Sequence, residues 1–168
     1  MSRSVTLKGN RLVLEGPELK VGDPAPDATL KKSLVERFRL SEGGGRPRIL
    51  SVVPSLDTPV CALQTKRFNE AAASLPNVDF YTISCDLPVA MARFCGAEGI
   101  NTERVKVLSD HQDLSFGKAY GTLLPDLRIL CRAVFVVDAA NKLRYVEYVP
   151  EVSDHPNYEA VLACAKSL

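Results

Sequence analysis

Runs of β-type apolar residues alternate with helical stretches along this chain, and the alternation marks out its elements. Val5-Thr6-Leu7 and Arg11-Leu12-Val13-Leu14 flank Lys8-Gly9-Asn10, which predicts a small N-terminal β-hairpin. The turn-rich Val21-Gly22-Asp23-Pro24-Ala25-Pro26 leads into the main body. Gly43-Gly44-Gly45 closes an irregular stretch ahead of an apolar strand at 48–53. The pattern then runs helix (59–74), strand (78–84), helix (88–95), strand (105–108) and helix (113–120). Two strands at 132–138 and 142–149 follow, turned by Asn141, and a helix at 156–167 completes the pattern. Residues 122–131 contain no glycine and carry no predicted element. Strands alternating with helices, then a hairpin, then a helix, predict an α/β domain with a central mixed sheet and helices on both faces. No repeat or second domain interrupts residues 1–168.

With 168 residues, 46% hydrophobic and 24% charged, the chain can bury one core of ordinary composition. A net charge of +1 supplies no strong field for gathering nucleic acid or an anionic membrane surface. No apolar run reaches the length of a membrane span, and the first ten residues lack the apolar stretch of a secretory signal, so a cytoplasmic location is expected. The triple glycine lacks the lysine of a phosphate loop and reads as a turn. The five cysteines (61, 85, 95, 131 and 164) are odd in number and include no Cys-x-x-Cys, which argues against a disulfide scaffold. His111 and His155 follow no familiar ligand spacing relative to them. Catalytic or redox use of cysteine is the better reading.

The segment Pro54-Ser55-Leu56-Asp57-Thr58-Pro59-Val60-Cys61 sharpens that reading. A β-type run stops at Pro54, then a Thr-Pro pair opens a long helical pattern. Thr58 reads as N-cap and Pro59 as the first helical residue, which places Cys61 at the third position. A thiol there lies at the positive end of the helix dipole, at the C-terminal end of a strand. A free thiol is only about 3% ionised at pH 7, so full ionisation is worth about 2 kcal/mol of barrier. An efficient reaction must find more in alignment and in stabilising charge on a departing group, which calls for a cation.

Pro54, Thr58 and Cys61 match the Pro-x-x-x-Thr-x-x-Cys motif of peroxiredoxins. The string from Ser51 to Glu70, with Asp57-Thr58-Pro59 and Leu63-Gln64-Thr65, resembles the bacterial thiol peroxidase subgroup of that family. So do Ala92-Arg93-Phe94-Cys95-Gly96-Ala97-Glu98-Gly99 and Arg132-Ala133-Val134-Phe135-Val136-Val137-Asp138. The likeness covers nearly the whole chain. It implies a thioredoxin-like fold, in agreement with the order of the elements, with the N-terminal β-hairpin as an extension.

The resemblance also assigns roles. Cys61 is the expected peroxidatic cysteine, and Arg132 corresponds to the arginine beside its thiolate, able to donate hydrogen bonds to peroxide oxygens. Thr58 is expected to place a hydroxyl near sulfur and substrate, and Pro54 to shield the site. Cys95, 34 residues after Cys61, matches the intramolecular resolving cysteine. The helix bearing it reads as capped by Asp86 and stopped by Gly96, which would leave Cys95 at a C-terminus without dipole assistance. Cys85, Cys131 and Cys164 have no activating neighbour, although Cys131 adjoins Arg132. The implied activity is reduction of hydrogen peroxide or organic hydroperoxides without metal, haem or flavin, with thioredoxin or a similar dithiol as reductant and a homodimer as the assembly. The rival reading is a redox-controlled binding protein switched by a Cys61–Cys95 disulfide. A general disulfide oxidoreductase is disfavoured by the missing Cys-x-x-Cys.

Overall fold

Period-two alternation along the central strands sorts their side chains between two cores. The structure is a computed structural model in which residues 2–168 are described. Its seven-stranded sheet contains β3 (Thr29–Lys31), β4 (Arg37–Arg39), β5 (Arg48–Val52), β6 (Asp79–Ser84), β7 (Val105–Ser109), β10 (Ala133–Val137) and β11 (Leu143–Tyr148). They lie in the order β11-β10-β5-β6-β7-β3-β4. β5, β6 and β7 run parallel, and the remaining pairings are antiparallel. Leu50, Val52, Tyr81, Ile83, Phe135 and Val137 face one core, joined by Phe116 and Tyr120 of α3 (Ser115–Tyr120). Their sequence neighbours Ile49, Phe80, Val134 and Val136 face the other. That second face is covered by Phe68 and Ala72 of α1 (Pro59–Ala72), Cys95 of α2 (Pro88–Glu98), and Val161 and Ala165 of α4 (Tyr158–Lys166). This is the expected mixed sheet with helices on both faces. None of the described helices is long and apolar enough to cross a membrane.

The N-terminal hairpin pairs β1 (Ser4–Leu7) with β2 (Asn10–Val13) through a two-residue turn in which Lys8 and Gly9 both have positive φ. Four strands went unpredicted. β3 and β4 have three residues each, too few for a period to show, and they extend the sheet beyond β7. The segment 122–131 forms its own hairpin, β8 (Leu123–Leu124) with β9 (Ile129–Leu130), and Arg128 takes the left-handed conformation that glycine commonly supplies. In the triple glycine, Gly44 and Gly45 form the expected turn and Gly43 does not. Gly43 ends a short 3-10 helix, Leu40–Gly43, and packs so closely on Tyr81 that a Cβ would strike its hydroxyl.

The expected bounds of α2 need the larger correction. Leu87 takes the N-cap position, and the helix continues through Gly96 to Glu98, where Gly99 stops it with φ +67°. Cys95 therefore lies inside the last turn, and Asp86 is free for another task.

Candidate active site

Pro54 ends the β5 ladder because it has no N–H to continue it; the last bond in register runs from Val53 N–H to Ile83 O at 3.0 Å. The loop that follows is held by Asp86 from the end of β6. Its carboxylate accepts from Ser55 Oγ (2.7 Å), the Leu56 N–H (2.8 Å) and Ser84 Oγ (2.6 Å). Asp86 thus fixes the entry to α1 and does not cap α2, whose N-cap is Leu87. Thr58 occupies the N-cap position and Pro59 opens α1, so Cys61 is the third helical residue as expected. The Thr58 side chain does not cap, however. Its hydroxyl donates to Ser55 O at 2.9 Å, and the first-turn N–H groups receive no side-chain acceptor from it.

Cys61 is fully buried, and Arg132, at the foot of β10, is 2% exposed beside it. Three elements grip the guanidinium. Nε donates to Val152 O at 2.8 Å, Nη1 to Gln64 Oε1 at 2.9 Å, and Nη2 to Cys61 Sγ at 3.2 Å. Gln64 is itself fully buried and passes its Nε2 hydrogen to Ser51 Oγ at 2.8 Å. Among the described residues no carboxylate lies within ion-pair distance of Arg132. A buried cation is costly without an opposing charge. Of the three atoms that accept from the guanidinium, only the Cys61 sulfur can supply that charge by losing a proton. The arrangement therefore suits a thiolate, with guanidinium hydrogens left over for a second acceptor.

Gln64 and Val152 were not identified as site residues from the sequence. Gln64 left a signal, since Cys61, Gln64 and Phe68 at i, i+3 and i+7 share one buried helix face on which an amide is out of place. Val152 left none, because it contributes only a backbone carbonyl.

Cys95 stands apart from this cluster. Cys61 packs with Val53, Leu56 and Met91, whereas Cys95 belongs to the core beneath α1 and α4; Phe94 and Val107 touch both groups. All five thiols are free in this structure. Burial pushes the Cys95 thiol up, and a groove of about 450 Å³ runs along α2 past Met91, Cys95 and Val107. Cys131 turns into the opposite core, and burial pushes its thiol up to about 12. The Cys85 thiol is pushed up to about 12 by burial and then by Asp110 and Asp86. Burial also raises Cys164, whose sulfur lies 3.7 Å from Arg144 O. Among the described residues, Cys61 alone has an arginine N–H on its sulfur.

Comparison with known proteins shows the family. The Redoxin family pattern matches residues 20–162. The chain is 51% identical to the thiol peroxidase of Bacillus subtilis, over 98% of this chain and 97% of that one. It is 48% identical to the thiol peroxidase of Clostridium acetobutylicum, over 97% and 98%. A solved peroxiredoxin-like protein from Aquifex aeolicus superposes with a TM-score of 0.89 at 42% identity, covering 99% of this chain and 98% of that one. A thiol peroxidase from Chromobacterium violaceum shares the fold, with a TM-score of 0.86 at 22% identity over 98% and 95% of the two chains.

Proposed function

The chain belongs to the Redoxin family and is a peroxiredoxin-type thiol peroxidase, and from that premise we propose that Cys61 is its peroxidatic nucleophile and Cys95 its resolving thiol. The observation that carries the proposal is the 3.2 Å contact from Arg132 Nη2 to Cys61 Sγ inside a site without a carboxylate counter-charge. Cys61 thiolate attacks the terminal oxygen of a hydroperoxide. The O–O bond breaks, Cys61 becomes a sulfenic acid, and the departing oxygen takes a proton and leaves as water or alcohol. The spare N–H groups of Arg132 and the uncapped first-turn amides of α1 face the developing negative charge. In this reading Pro54 shields the sulfur and Thr58 offers its hydroxyl to the substrate, while Asp86 holds the loop that starts α1.

Cys95 then attacks the sulfenic sulfur, a disulfide forms, and water leaves. A disulfide requires Cα atoms within about 7 Å, and the two thiols sit in separate packing groups. The last turn of α2, which contains Gly96, is the segment that must open. Opening also removes the burial that holds the Cys95 thiol up. A dithiol protein of the thioredoxin type recycles the disulfide by exchange. A homodimer and a cytoplasmic location complete the proposal, the latter in keeping with an odd number of cysteines that does not suit a disulfide scaffold.

Rapid mixing of pre-reduced protein with peroxide tests this reading. With no reductant added, wild type is expected to react fast with one equivalent of peroxide and stop as the disulfide, Cys61→Ser to be inert, and Cys95→Ser to react with one equivalent and stop as sulfenic acid. With a thioredoxin-type dithiol added, wild type is expected to turn over repeatedly. A wild type no faster than a free thiol overturns the proposal and returns the lead to a redox-switched binding protein.

A further inference from the structure

The cycle proposed above makes no use of the N-terminal hairpin, yet a continuous path of hydrogen bonds joins that hairpin to Arg132. The path starts at β1. Thr6 presents its outer edge to the loop after β11, donating its N–H to Pro150 O and accepting from Val152 N–H, both at 2.8 Å. These bonds make a parallel bridge across Glu151, 145 residues away in sequence. The Glu151 carboxylate closes the joint. Oε1 accepts from the Gly9 N–H (3.0 Å) and Thr6 Oγ1 (3.2 Å), while Oε2 accepts from the Ser153 N–H (3.0 Å) and Ser153 Oγ (2.8 Å). Val152, pinned on its N–H side by the hairpin, turns its carbonyl onto Arg132 Nε at 2.8 Å.

We infer that the hairpin positions the catalytic arginine, with Glu151 as the clasp and the Thr6–Val152 bridge as the link, so that peroxide reduction at Cys61 depends on a contact made at the N-terminus. The inference rests on the reading of Cys61 and Arg132 given above. Glu151 and Thr6 touch neither sulfur nor guanidinium; they are positioning residues, acting through the Val152 carbonyl. The physical requirement is strict. One guanidinium must point Nη2 at sulfur and its spare hydrogens at peroxide, and a displacement of about 1 Å in such an arrangement costs about a hundredfold in rate. An isolated two-stranded hairpin is marginal in water, so its docking on residues 150–153 stabilises both partners. Donors from Ser153 and Gly9 hold the Glu151 carboxyl down to about 2, so the clasp stays ionised throughout the neutral range.

The bland alternative is that the hairpin only covers apolar surface, since Val5 and Leu14 are buried beneath it. A double-mutant cycle separates the two. The rate constant for pre-reduced protein with tert-butyl hydroperoxide is measured at pH 7 in wild type, Glu151→Ala, Arg132→Met and the double variant. Glu151→Ala is expected to slow wild type about tenfold and to change nothing further once Arg132 is Met. Glu151→Gln keeps an acceptor for Gly9 and Thr6 but loses the one for the Ser153 N–H, and is expected to slow the reaction less than Glu151→Ala does. If circular dichroism shows Glu151→Ala unfolded, Thr6→Val replaces it, with a loss of about threefold and the same vanishing effect beside Arg132→Met. Equal slowing in both backgrounds, or no slowing in a folded variant, overturns the inference. An Arg132→Met protein as fast as wild type instead overturns the assignment of Arg132 itself.

Discussion

Replacing Gln64 by Glu changes an amide nitrogen to oxygen at the centre of the site and leaves the shape of the side chain unaltered. The fold has little reason to object. Ser51 Oγ, which accepts from Gln64 Nε2 at 2.8 Å, can rotate its own hydrogen toward a carboxylate and keep that bond with its direction reversed. Arg132 Nη1, now 2.9 Å from a neutral oxygen, would gain an ion pair. The cost falls on sulfur. Cys61 Sγ and Gln64 Oε1 lie on the two terminal nitrogens of one planar guanidinium, at 3.2 and 2.9 Å, so the new carboxylate would stand about 5 Å from the thiolate. At an effective dielectric constant of about 20, two like charges at that distance repel by about 3 kcal/mol, which disfavours the thiolate against the thiol by about two decades in their equilibrium constant. Arg132 would exchange its sulfur counter-charge for a permanent carboxylate. Gln64→Glu is therefore expected to hold its unfolding free energy within about 1 kcal/mol of wild type and to react with hydroperoxide up to about a hundredfold more slowly. Stopped-flow peroxide reduction gives the rate, urea titration gives the stability, and alkylation of Cys61 against pH follows its ionisation directly. A folded variant that reduces peroxide within threefold of the wild-type rate, with an unchanged alkylation profile, refutes the view that sulfur is the counter-charge of Arg132.

Three further outcomes are expected. Gly96→Ala adds a methyl to open space in the last turn of α2, stabilising that turn by up to about 1 kcal/mol; disulfide formation should slow about fivefold in a quench-flow assay while the first reaction with peroxide is unchanged. Burial pushes the Asp110 carboxyl up to about 6, although the N–H groups of Gly117 and Phe116 bond to it; the fold therefore favours its protonated form, and wild type should lose up to about 3 kcal/mol of stability relative to Asp110→Asn between pH 4 and 6, as read from urea titrations across that window. In Cys95→Ser protein stalled as sulfenic acid, backbone amides in the first turn of α1 and the last turn of α2 should exchange hydrogen faster than in the reduced form, and equal protection in the two states would show that oxidation does not loosen the site.

What the sequence revealed, and what it hid, follows from the range of the interactions concerned. Cys61 at the third helical position could be read from Thr58-Pro59 because a cap and a first-turn proline are local signals. The strands β5, β6 and β10 were legible for a similar reason, as apolar runs bounded by turns. Asp86 misled because a local rule makes it a cap for α2, whereas the bonds that claim it reach back 31 residues to Ser55 and 30 to Leu56. Gly96 and Gly99 look alike as helix stops, yet only Gly99 takes a positive φ. Arg132 could be assigned only through family resemblance, since nothing in Cys131-Arg132-Ala133 foretells a contact with a thiol 71 residues away. The Val152 carbonyl could not be found at all, because an acceptor on the main chain leaves no mark on residue type.

The same geometry links the two halves of the proposed cycle. In the proposed cycle the reduced protein buries the Arg132 charge with no carboxylate within ion-pair distance among the described residues, and a thiolate on Cys61 would balance it. Reaction with peroxide turns that sulfur into a neutral sulfenic acid and removes the balancing charge. Arg132 cannot respond by losing a proton, since a guanidinium does not deprotonate in proteins. Leaving one member of a buried charge pair without its partner costs about 3–5 kcal/mol, comparable to the stability of a small cooperative segment. The packed arrangement that favours attack on peroxide therefore becomes less favourable once the attack has happened, and the cheapest relief is to loosen the first turn of α1 and admit water. That loosening frees Cys61 from Met91 and gives Cys95 a sulfur it can reach. On this view Arg132 drives the peroxide step as a hydrogen-bond donor and the resolving step as an unbalanced charge, and the exchange measurement on stalled Cys95→Ser protein distinguishes that double role from a passive one.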